Sequence, residues 1–268
     1  MNFLIFGGTK RAEILFSKLS ERGHSGDYID SIESFRYDTK YDLIILPVPT
    51  LDRDGFINIP SAKKVKPEEI FCYQNEKTLI ISCNYNDERF NIVDLNQRED
   101  FTYLNAVPTA EGAISIAINS SEISLTNSKI AITGYGHVGK ILADKLKGLG
   151  CDITVIARSD YDIYLAKAQG FKTKLTSALN EHANNYDIIF QTIPARVLNS
   201  DVLNTLNQKT KIIELSSRGF GTDMDYAKSA GIDLIFAPAL PEKTAPITAG
   251  NILYECVENI LNEQKIGV

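Results

Sequence analysis

Residues 129–148 read KIAITGYGHVGKILADKLKG, and this stretch decides the fold. The apolar run KIAIT predicts a buried strand, and VGKILADKLKG has the spacing of a helix with one apolar face. The glycines between them match G-x-G-x-x-G in the strand–turn–helix context that the motif requires. In such a turn Gly134 permits a tight bend, Gly136 lets the backbone approach a diphosphate, and Gly139 lets the helix pack closely. The stretch predicts a Rossmann-type dinucleotide-binding domain; the alternative is a glycine-rich turn without a ligand.

The turn is expected to hold the diphosphate through backbone amides at the positive end of the following helix. We expect His137 to face the phosphates and Tyr135 to pack over the cofactor. The residues of this turn that are predicted to bind the cofactor are Gly134, Tyr135, Gly136, His137, Val138 and Gly139.

The end of the next strand indicates which dinucleotide binds. NAD-specific domains carry Asp or Glu about 20 residues past the glycines, where it accepts hydrogen bonds from the ribose 2′-hydroxyl. This chain has Arg158 and Ser159 there instead. A guanidinium forms charge-assisted hydrogen bonds to a 2′-phosphate, and Ser159 can add a hydroxyl. The predicted cofactor is therefore NADP; alternatively, Arg158 stacks on adenine or lies in solvent.

Two later strand ends are further candidates by position, because ligands of open α/β sheets collect at the carboxyl ends of strands. Thr192, Ile193 and Pro194 end one strand, and Ser216 ends the next. All four are predicted to bind the cofactor. An ordinary exit from strand to loop is the alternative for residues 192–194.

Short apolar runs alternate with helical patterns along the chain, which is typical of parallel α/β sheets. The strands predicted are Asn2–Phe6, Asp42–Val48, Thr78–Ser82, Asn91–Asp94, Lys129–Thr133, Cys151–Ala157, Asp187–Thr192, Lys211–Leu215 and Asp233–Ala237. A helix is predicted to begin at Pro108–Thr109. The expected fold class is α/β with two domains: a smaller N-terminal open α/β domain and a Rossmann-type domain with a doubly wound parallel sheet. The domain limits expected are residues 1–120, residues 121–248, and a C-terminal helix at 249–268 that returns to the N-terminal domain.

Composition excludes several classes of partner. The net charge of −6 over 268 residues argues against a nucleic acid or an acidic membrane surface. No apolar run approaches the ~18 residues of a membrane span, and no signal peptide is recognisable. Four scattered cysteines and three distant histidines indicate a reducing compartment and no metal site. We expect a soluble cytoplasmic protein that forms a homo-oligomer.

Several strings are more particular than the glycine turn, and they occur over nearly the whole chain. They are GGTKRAE at 7–13, Leu43–Val48 with Asp54-Gly55, NAVPTAEG at 105–112, GYGHVG at 134–139, Ile193-Pro194, SRGFGTD at 217–223, APALP at 237–241 and APITAG at 245–250. In these strings the chain resembles the A subunits of dipicolinate synthase, the NADP-linked enzyme of spore-forming bacteria. The chain departs from the family pattern at Ala239, Glu242 and Ile247, which stand for a glycine, a glycine and a lysine.

The resemblance implies oxidation of a dihydrodipicolinate-type ring, derived from the lysine-pathway aldolase product, to dipicolinate with NADP as acceptor. It also implies a role in the mother cell during sporulation and a flavoprotein-like second subunit. The small-molecule substrate would carry two carboxylates. If the family's lysine contacts one of them, Ile247 removes that contact, and Lys243 could substitute.

Such a substrate needs fixed cationic or hydroxyl donors. Arg218 could bind one carboxylate bidentately and help catalysis, unless it only bonds loop carbonyls. Arg11, at the start of the first helix, could bind the other, unless it is a surface arginine. Glu111 is the predicted base, with a first-turn or capping role beside Thr109 as the alternative. The residues predicted to contact substrate are Arg11, Thr109, Arg218, Thr244 and Thr248.

Two other functions stay open. One is a different NADP-dependent two-domain dehydrogenase, of shikimate or hydroxy-acid type. The other is a non-catalytic, NADP-binding regulatory subunit, since the sequence shows no obvious acid–base pair.

Overall fold

The computed structural model describes residues 1–216 and 221–266. By its internal contacts the chain divides into two compact units: unit 1 is residues 1–105 with 245–268, and unit 2 is residues 106–244. The domain limits at residues 120 and 248 remain a prediction.

The strands are β1 Asn2–Phe6, β2 Ser25–Ile29, β3 Leu43–Ile45, β4 Leu79–Ser82, β5 Ile92–Asp94, β6 Lys129–Thr133, β7 Asp152–Ala157, β8 Lys172–Leu175, β9 Ile188–Gln191, β10 Lys211–Glu214 and β11 Leu234–Phe236. The α-helices are α1 Lys10–Glu21, α2 Pro67–Phe71, α3 Glu99–Ser120, α4 His137–Gly148, α5 Asp160–Ala168, α6 Leu179–His182, α7 Ser200–Asn204, α8 Met224–Ser229, α9 Leu240–Thr244 and α10 Pro246–Gln264.

Unit 1 is built on a parallel sheet with the strand order β2-β1-β3-β4-β5. Alternate residues of the central strands bury their side chains on opposite faces, as the period of two requires. Phe3 and Ile5 belong to the core on one face, and Leu4 and Phe6 to the core on the other. Both faces are thus covered, which explains why these strands are continuous apolar runs in the sequence.

The C-terminal helix α10 belongs to unit 1. Its apolar face is buried in the same core as Phe3 and Ile5; the residues are Ile252, Leu253, Cys256, Val257, Ile260 and Leu261. It lies very close to α1, since a Cβ added at Gly250 would stand 2.8 Å from the Cβ of Ile14. The predicted return of the C-terminal helix to the N-terminal part of the chain is confirmed.

An ionic cluster fastens the first turn of α3 to α10 within unit 1. Arg98 binds Asp100 at 2.8 Å and Glu263 at 2.7 Å, and Asn259 donates to Asp100 at 3.1 Å. The Arg98 guanidinium lowers the pKa of Asp100 to about 2. The Asp100 carboxylate therefore stays charged, and keeps both partners, at any pH well above that value.

Unit 2 is built on a second parallel sheet, with the order β11-β10-β9-β6-β7-β8. The chain begins this sheet in the middle, extends it through β7 and β8, and then returns to the other side of β6 with β9. This is the doubly wound order of dinucleotide-binding domains, and its switch point lies between β6 and β9. The predicted fold class, α/β with a doubly wound Rossmann-type domain, is confirmed. Within the two described ranges, no helix combines the length and apolar character needed to cross a membrane.

The start predicted for the helix near residue 109 is wrong. Helix α3 begins at Glu99 and contains Pro108 in its interior. A proline inside a helix removes one hydrogen bond and normally breaks it. Here Phe101 and Ala106 bury their side chains before the proline, and Ala110 and Ala113 after it. Packing on both sides therefore outweighs the local preference of proline for a helix start.

Ala239, where the family resemblance implies glycine, has a left-handed backbone with φ of +56°. This conformation costs an L-residue about 1–2 kcal/mol, whereas glycine adopts it freely. We expect Ala239→Gly to raise the free energy of unfolding by roughly 0.5–1 kcal/mol, after the greater entropy of glycine in the unfolded chain is subtracted. Urea denaturation would measure this difference.

Ala230→Gly is the matched control, because Ala230 is also exposed but has a φ of −85°. Glycine there should lower the stability by up to about 1 kcal/mol. A destabilised Ala239→Gly variant would contradict the left-handed assignment.

Candidate functional site

The glycine turn joins β6 to α4 at the switch point of the unit 2 sheet. Gly134 has a φ of +92°, and its amide donates to Ile156 O at 2.7 Å. A Cβ at Gly134 would stand 2.6 Å from Thr192 Oγ1, and one at Gly139 would stand 2.3 Å from Gly134 O. Both glycines are therefore required by the packing of the chain itself.

Gly136 differs from its two neighbours. Its φ of −78° and ψ of −164° suit any residue, and a Cβ added there would meet no atom within 4 Å. Gly136 is also the N-cap of α4, where Ser or Asp would satisfy the first amides better. The fold does not need glycine here, whereas a diphosphate lying against the backbone would. The ligand-free alternative thus accounts for Gly134 and Gly139 but not for Gly136, and the turn fits a dinucleotide.

The other residues of the turn divide between core and surface. Tyr135 is only 5% exposed and packs edge-on against Phe171, with ring centroids 6.2 Å apart. Burial raises the pKa of its hydroxyl. The expectation that the Tyr135 ring covers the cofactor is therefore wrong, and any part it takes in binding comes from its backbone. His137 and Val138 form the partly exposed first turn of α4.

Arg158 follows directly after β7, which pairs with β6 so that Ile156 lies opposite Thr133. Its side chain is exposed at the same sheet edge as the glycine turn. Ser159 caps α5: its hydroxyl accepts from the Asp162 amide at 3.1 Å and donates to the Asp162 carboxylate at 2.8 Å. Because Ser159 is engaged and Asp162 is anionic, Arg158 is the group at this strand end that would attract a 2′-phosphate.

The end of β9 contacts the glycine turn directly. Thr192 Oγ1 donates to Thr133 O at 2.6 Å, and the Ile193 amide donates to Gln191 Oε1 at 2.8 Å. Pro194 is exposed beyond them. The structure thus brings Thr192 and Ile193 together with Gly134, as their predicted role in cofactor binding requires.

Ser216 turns away from the surface instead. It is 6% exposed, and both its amide and its hydroxyl donate to Glu214 Oε1, at 2.9 and 2.5 Å. Sequence reasoning missed Glu214, and also Thr133 and Gln191, which share a buried hydrogen bond. A signal for all three is present: the apolar strands KIAIT, IIFQ and KIIE each end in a polar residue.

Unit 1 has its own candidate pocket at the carboxyl ends of β1 and β3, where the order of its sheet reverses. Arg11 lines this pocket, together with Gly7, Thr9, Pro47 and Asn58. Arg11 is 5% exposed and donates to Asn105 Oδ1 at 3.4 Å. The alternative of a surface arginine is therefore wrong. A buried guanidinium that lines a pocket at the start of a helix suits an anionic ligand.

The remaining predicted substrate residues are divided between the units. Thr248 is exposed on α10 in unit 1, and Thr109 lies on α3 in unit 2. Thr244 Oγ1 donates to Leu240 O at 2.7 Å, and its side chain packs where Gly112 leaves room. Arg218 lies outside the described residues.

Glu111 lies in the middle of α3, and its carboxylate is 2.8 Å from Lys145 Nζ. Lys145 comes eight residues after His137, about 12 Å further along α4 at the usual rise per residue. The structure therefore does not bring Glu111 together with the glycine turn, and its role as the base stays a prediction.

An exposed ion pair of this kind contributes about 0–1 kcal/mol. We accordingly expect Glu111→Gln to lower stability by less than about 1 kcal/mol and to leave dinucleotide affinity unchanged in calorimetry. Lys145→Gln removes the same pair from the other side and should give the same result. Slower turnover in the Glu111 variant alone, at unchanged stability, would instead support the predicted catalytic role.

Comparisons with known proteins agree with this site. Residues 124–244 match the model of the acetohydroxy acid isomeroreductase NADPH-binding domain. Dipicolinate synthase A, one of the subunits of that enzyme in Bacillus subtilis (strain 168), is 37% identical over 172 residues, which are 64% of this chain and 58% of that protein. The aligned region thus spans less than two thirds of that relative's length.

Two solved structures match nearly the whole chain. Dipicolinate synthase A from Bacillus halodurans has a TM-score of 0.84 at 27% identity, over 97% of both chains. The Bacillus subtilis protein also has a TM-score of 0.84, at 29% identity over 98% of this chain and 96% of that one. The resemblance indicated by the sequence motifs is therefore confirmed: the chain is a homologue of dipicolinate synthase A and a dehydrogenase-like protein with an NAD(P)-binding domain.

Proposed function

We propose that the chain binds NADP at the glycine turn and oxidises a dihydrodipicolinate-type dicarboxylate to dipicolinate. The observation that carries this proposal is Gly136, where the backbone leaves open space that neither the turn nor the core requires. Arg158 at the end of β7 supports NADP over NAD, because a guanidinium attracts the additional phosphate. The similarity to dipicolinate synthase A supports the substrate.

NADP, when bound, supplies a hydride acceptor. Oxidation of the dihydropyridine ring removes one hydride and one ring proton, and the gain of aromaticity favours the reaction. The protein therefore contributes mainly position: the donor carbon must be held within near-attack distance of the acceptor. In this proposal Arg11 binds a substrate carboxylate in the unit 1 pocket, and Thr192 and Ile193 shape the cofactor site at the end of β9.

The resemblance further supports a setting for this activity. We propose that the chain works in the cytoplasm of the mother cell during sporulation and acts with a flavoprotein-like second subunit. The same proposal includes association of the chain with further copies of itself.

The test is to incubate the purified chain with NADP and the lysine-pathway aldolase product, with and without the second subunit. Dipicolinate is followed by its ultraviolet absorption, and NADPH by its own. Formation of both products in equal amounts supports the proposal. NADP binding without turnover under either condition would favour a regulatory role, and turnover of a hydroxy acid or of shikimate would favour a different dehydrogenase.

A matched variant separates substrate binding from cofactor binding. Arg11→Met keeps the length of the buried side chain but removes its charge, and should raise the KM for the dicarboxylate without changing NADP affinity. An unchanged KM would remove Arg11 from the proposed substrate site.

A further inference from the structure

Glu214 is a fully buried carboxylate at the last position of β10. One of its oxygens, Oε1, accepts from the amide and the hydroxyl of Ser216. The other, Oε2, accepts from Thr222 Oγ1 at 2.7 Å. One side chain thus fixes two points of the chain that are six positions apart. Hydrogen bonds to a charged group are stronger than those between neutral groups, so this attachment is firm.

The attachment is passed on to the segment that follows β9. The Gly221 amide donates to Ser216 Oγ at 3.2 Å, and Gly221 O accepts from the amides of Val197 and Leu198, both at 3.0 Å. The backbone of Gly221 also lies against the end of β9. A Cβ there would stand 2.0 Å from Gln191 Nε2 and 2.5 Å from Ile193 O.

From there the contacts reach the glycine turn. Gln191 Oε1 accepts from the Ile193 amide, and Thr192 Oγ1 donates to Thr133 O. A Cβ at Gly134 would stand 2.6 Å from Thr192 Oγ1 and 3.0 Å from Ile193 Cγ1. Continuous contacts therefore connect Glu214 to the wall of the proposed cofactor site, formed by Thr192 and Ile193.

The sheet order decides which half of a dinucleotide this wall would face. Arg158 places the adenosine half over β7, on one side of the switch point between β6 and β9. A dinucleotide lies across the switch point, so its other half lies over the carboxyl ends of β9 and β10. Glu214 and its contacts lie on that second side.

We propose that Glu214 is a positioning residue for the nicotinamide half of the bound dinucleotide, and that it acts through Thr222 and Gly221 on Thr192 and Ile193. The inference rests on the proposed NADP site and adds a division of labour to it. Arg158 and the glycine turn hold the phosphates and adenosine, whereas the Glu214 contacts set the surface against which the nicotinamide ring lies.

The experiment compares two ligands that share the adenosine half. Calorimetry measures the affinity of NADPH and of 2′-phospho-ADP-ribose, which lacks the nicotinamide ring, for the unaltered chain and for Thr222→Val. The variant keeps the side-chain shape and loses the bond to Glu214. NADPH affinity should fall about tenfold, as expected for a lost hydrogen bond to a charged group, and the affinity for 2′-phospho-ADP-ribose should be unchanged. The fluorescence of bound NADPH, which reports the surroundings of the ring, should shift as well.

Thr210→Val is the matched control. Thr210 is equally buried, and its hydroxyl donates to Tyr186 O at 2.7 Å, but at the opposite end of β10. It should alter neither affinity nor the fluorescence of bound NADPH. Glu214→Gln provides a second variant in case Thr222→Val does not fold, because the amide oxygen can still accept from Ser216; it should give the same selective loss.

Equal loss of both ligands, or no loss of either, would overturn the inference. Failure of the unaltered chain to bind 2′-phospho-ADP-ribose would overturn the NADP site itself, and this inference with it. That result is obtained before any variant is made, so the two failures are distinguishable.

Discussion

Gly136→Val should abolish measurable dinucleotide binding while the chain stays folded. The valine Cβ would enter the open space in front of the turn, where the proposed diphosphate needs to approach the backbone. Forcing side-chain atoms into a filled space costs about 1–3 kcal/mol, which corresponds to roughly a 10- to 100-fold loss of affinity. The unliganded chain should tolerate the change, because an extended backbone suits valine and no atom is near. Calorimetry with NADP and thermal melting of the same samples measure the two effects.

Gly139→Ala is the control that shows the opposite behaviour. A Cβ there would stand 2.3 Å from Gly134 O, so the helix and the turn must move apart even without a ligand. We expect this variant to lose about 1–3 kcal/mol of stability. Unchanged NADP affinity in Gly136→Val would mean that the turn is structural only.

Arg158→Ala should reduce NADP affinity far more than NAD affinity. The guanidinium is the cation at the end of β7, and a charge-assisted hydrogen bond contributes about 1.5–3 kcal/mol, or roughly a 10- to 150-fold preference. NAD has no 2′-phosphate and should bind about as before. Titration of the variant with both nucleotides gives the ratio directly.

Lys209→Ala is a suitable control for charge alone. Lys209 is exposed just before β10, at the opposite edge of the sheet, so its removal changes the net charge equally without altering the site. It should leave the NADP-to-NAD ratio unchanged. Equal weakening of both nucleotides in Arg158→Ala would contradict the assignment of NADP specificity to this residue.

The central strands could be predicted from the sequence, and two edge strands could not. β1, β3, β6 and β9 are covered on both faces and therefore appear as short apolar runs. β2 (SGDYI) and β8 (KTKL) lie at the edges of their sheets and are partly or largely exposed. With no buried face on both sides they carry no apolar run, so hydrophobic periodicity cannot find them.

The candidate site divides in the same way. Gly134, Gly136 and Gly139 are close in sequence, and their spacing alone indicates a dinucleotide turn. The contact between Thr133 and Gln191 joins residues 58 positions apart, and the partners of Glu214 depend on how the chain turns after β10. Local patterns carry no information on such pairings. The buried position of the Tyr135 ring was missed for the same reason, because its partner Phe171 lies on a distant segment.

The return of α10 to unit 1 has a consequence during synthesis. The ribosome delivers residues 1–105 first, then all of unit 2, and only then the helix whose apolar face completes the first core. At roughly 5–20 residues per second, the nascent sheet keeps one apolar face uncovered for on the order of ten seconds. Unit 2 is contiguous and can complete its own core in that interval, so the segment translated first is the last to reach its native state.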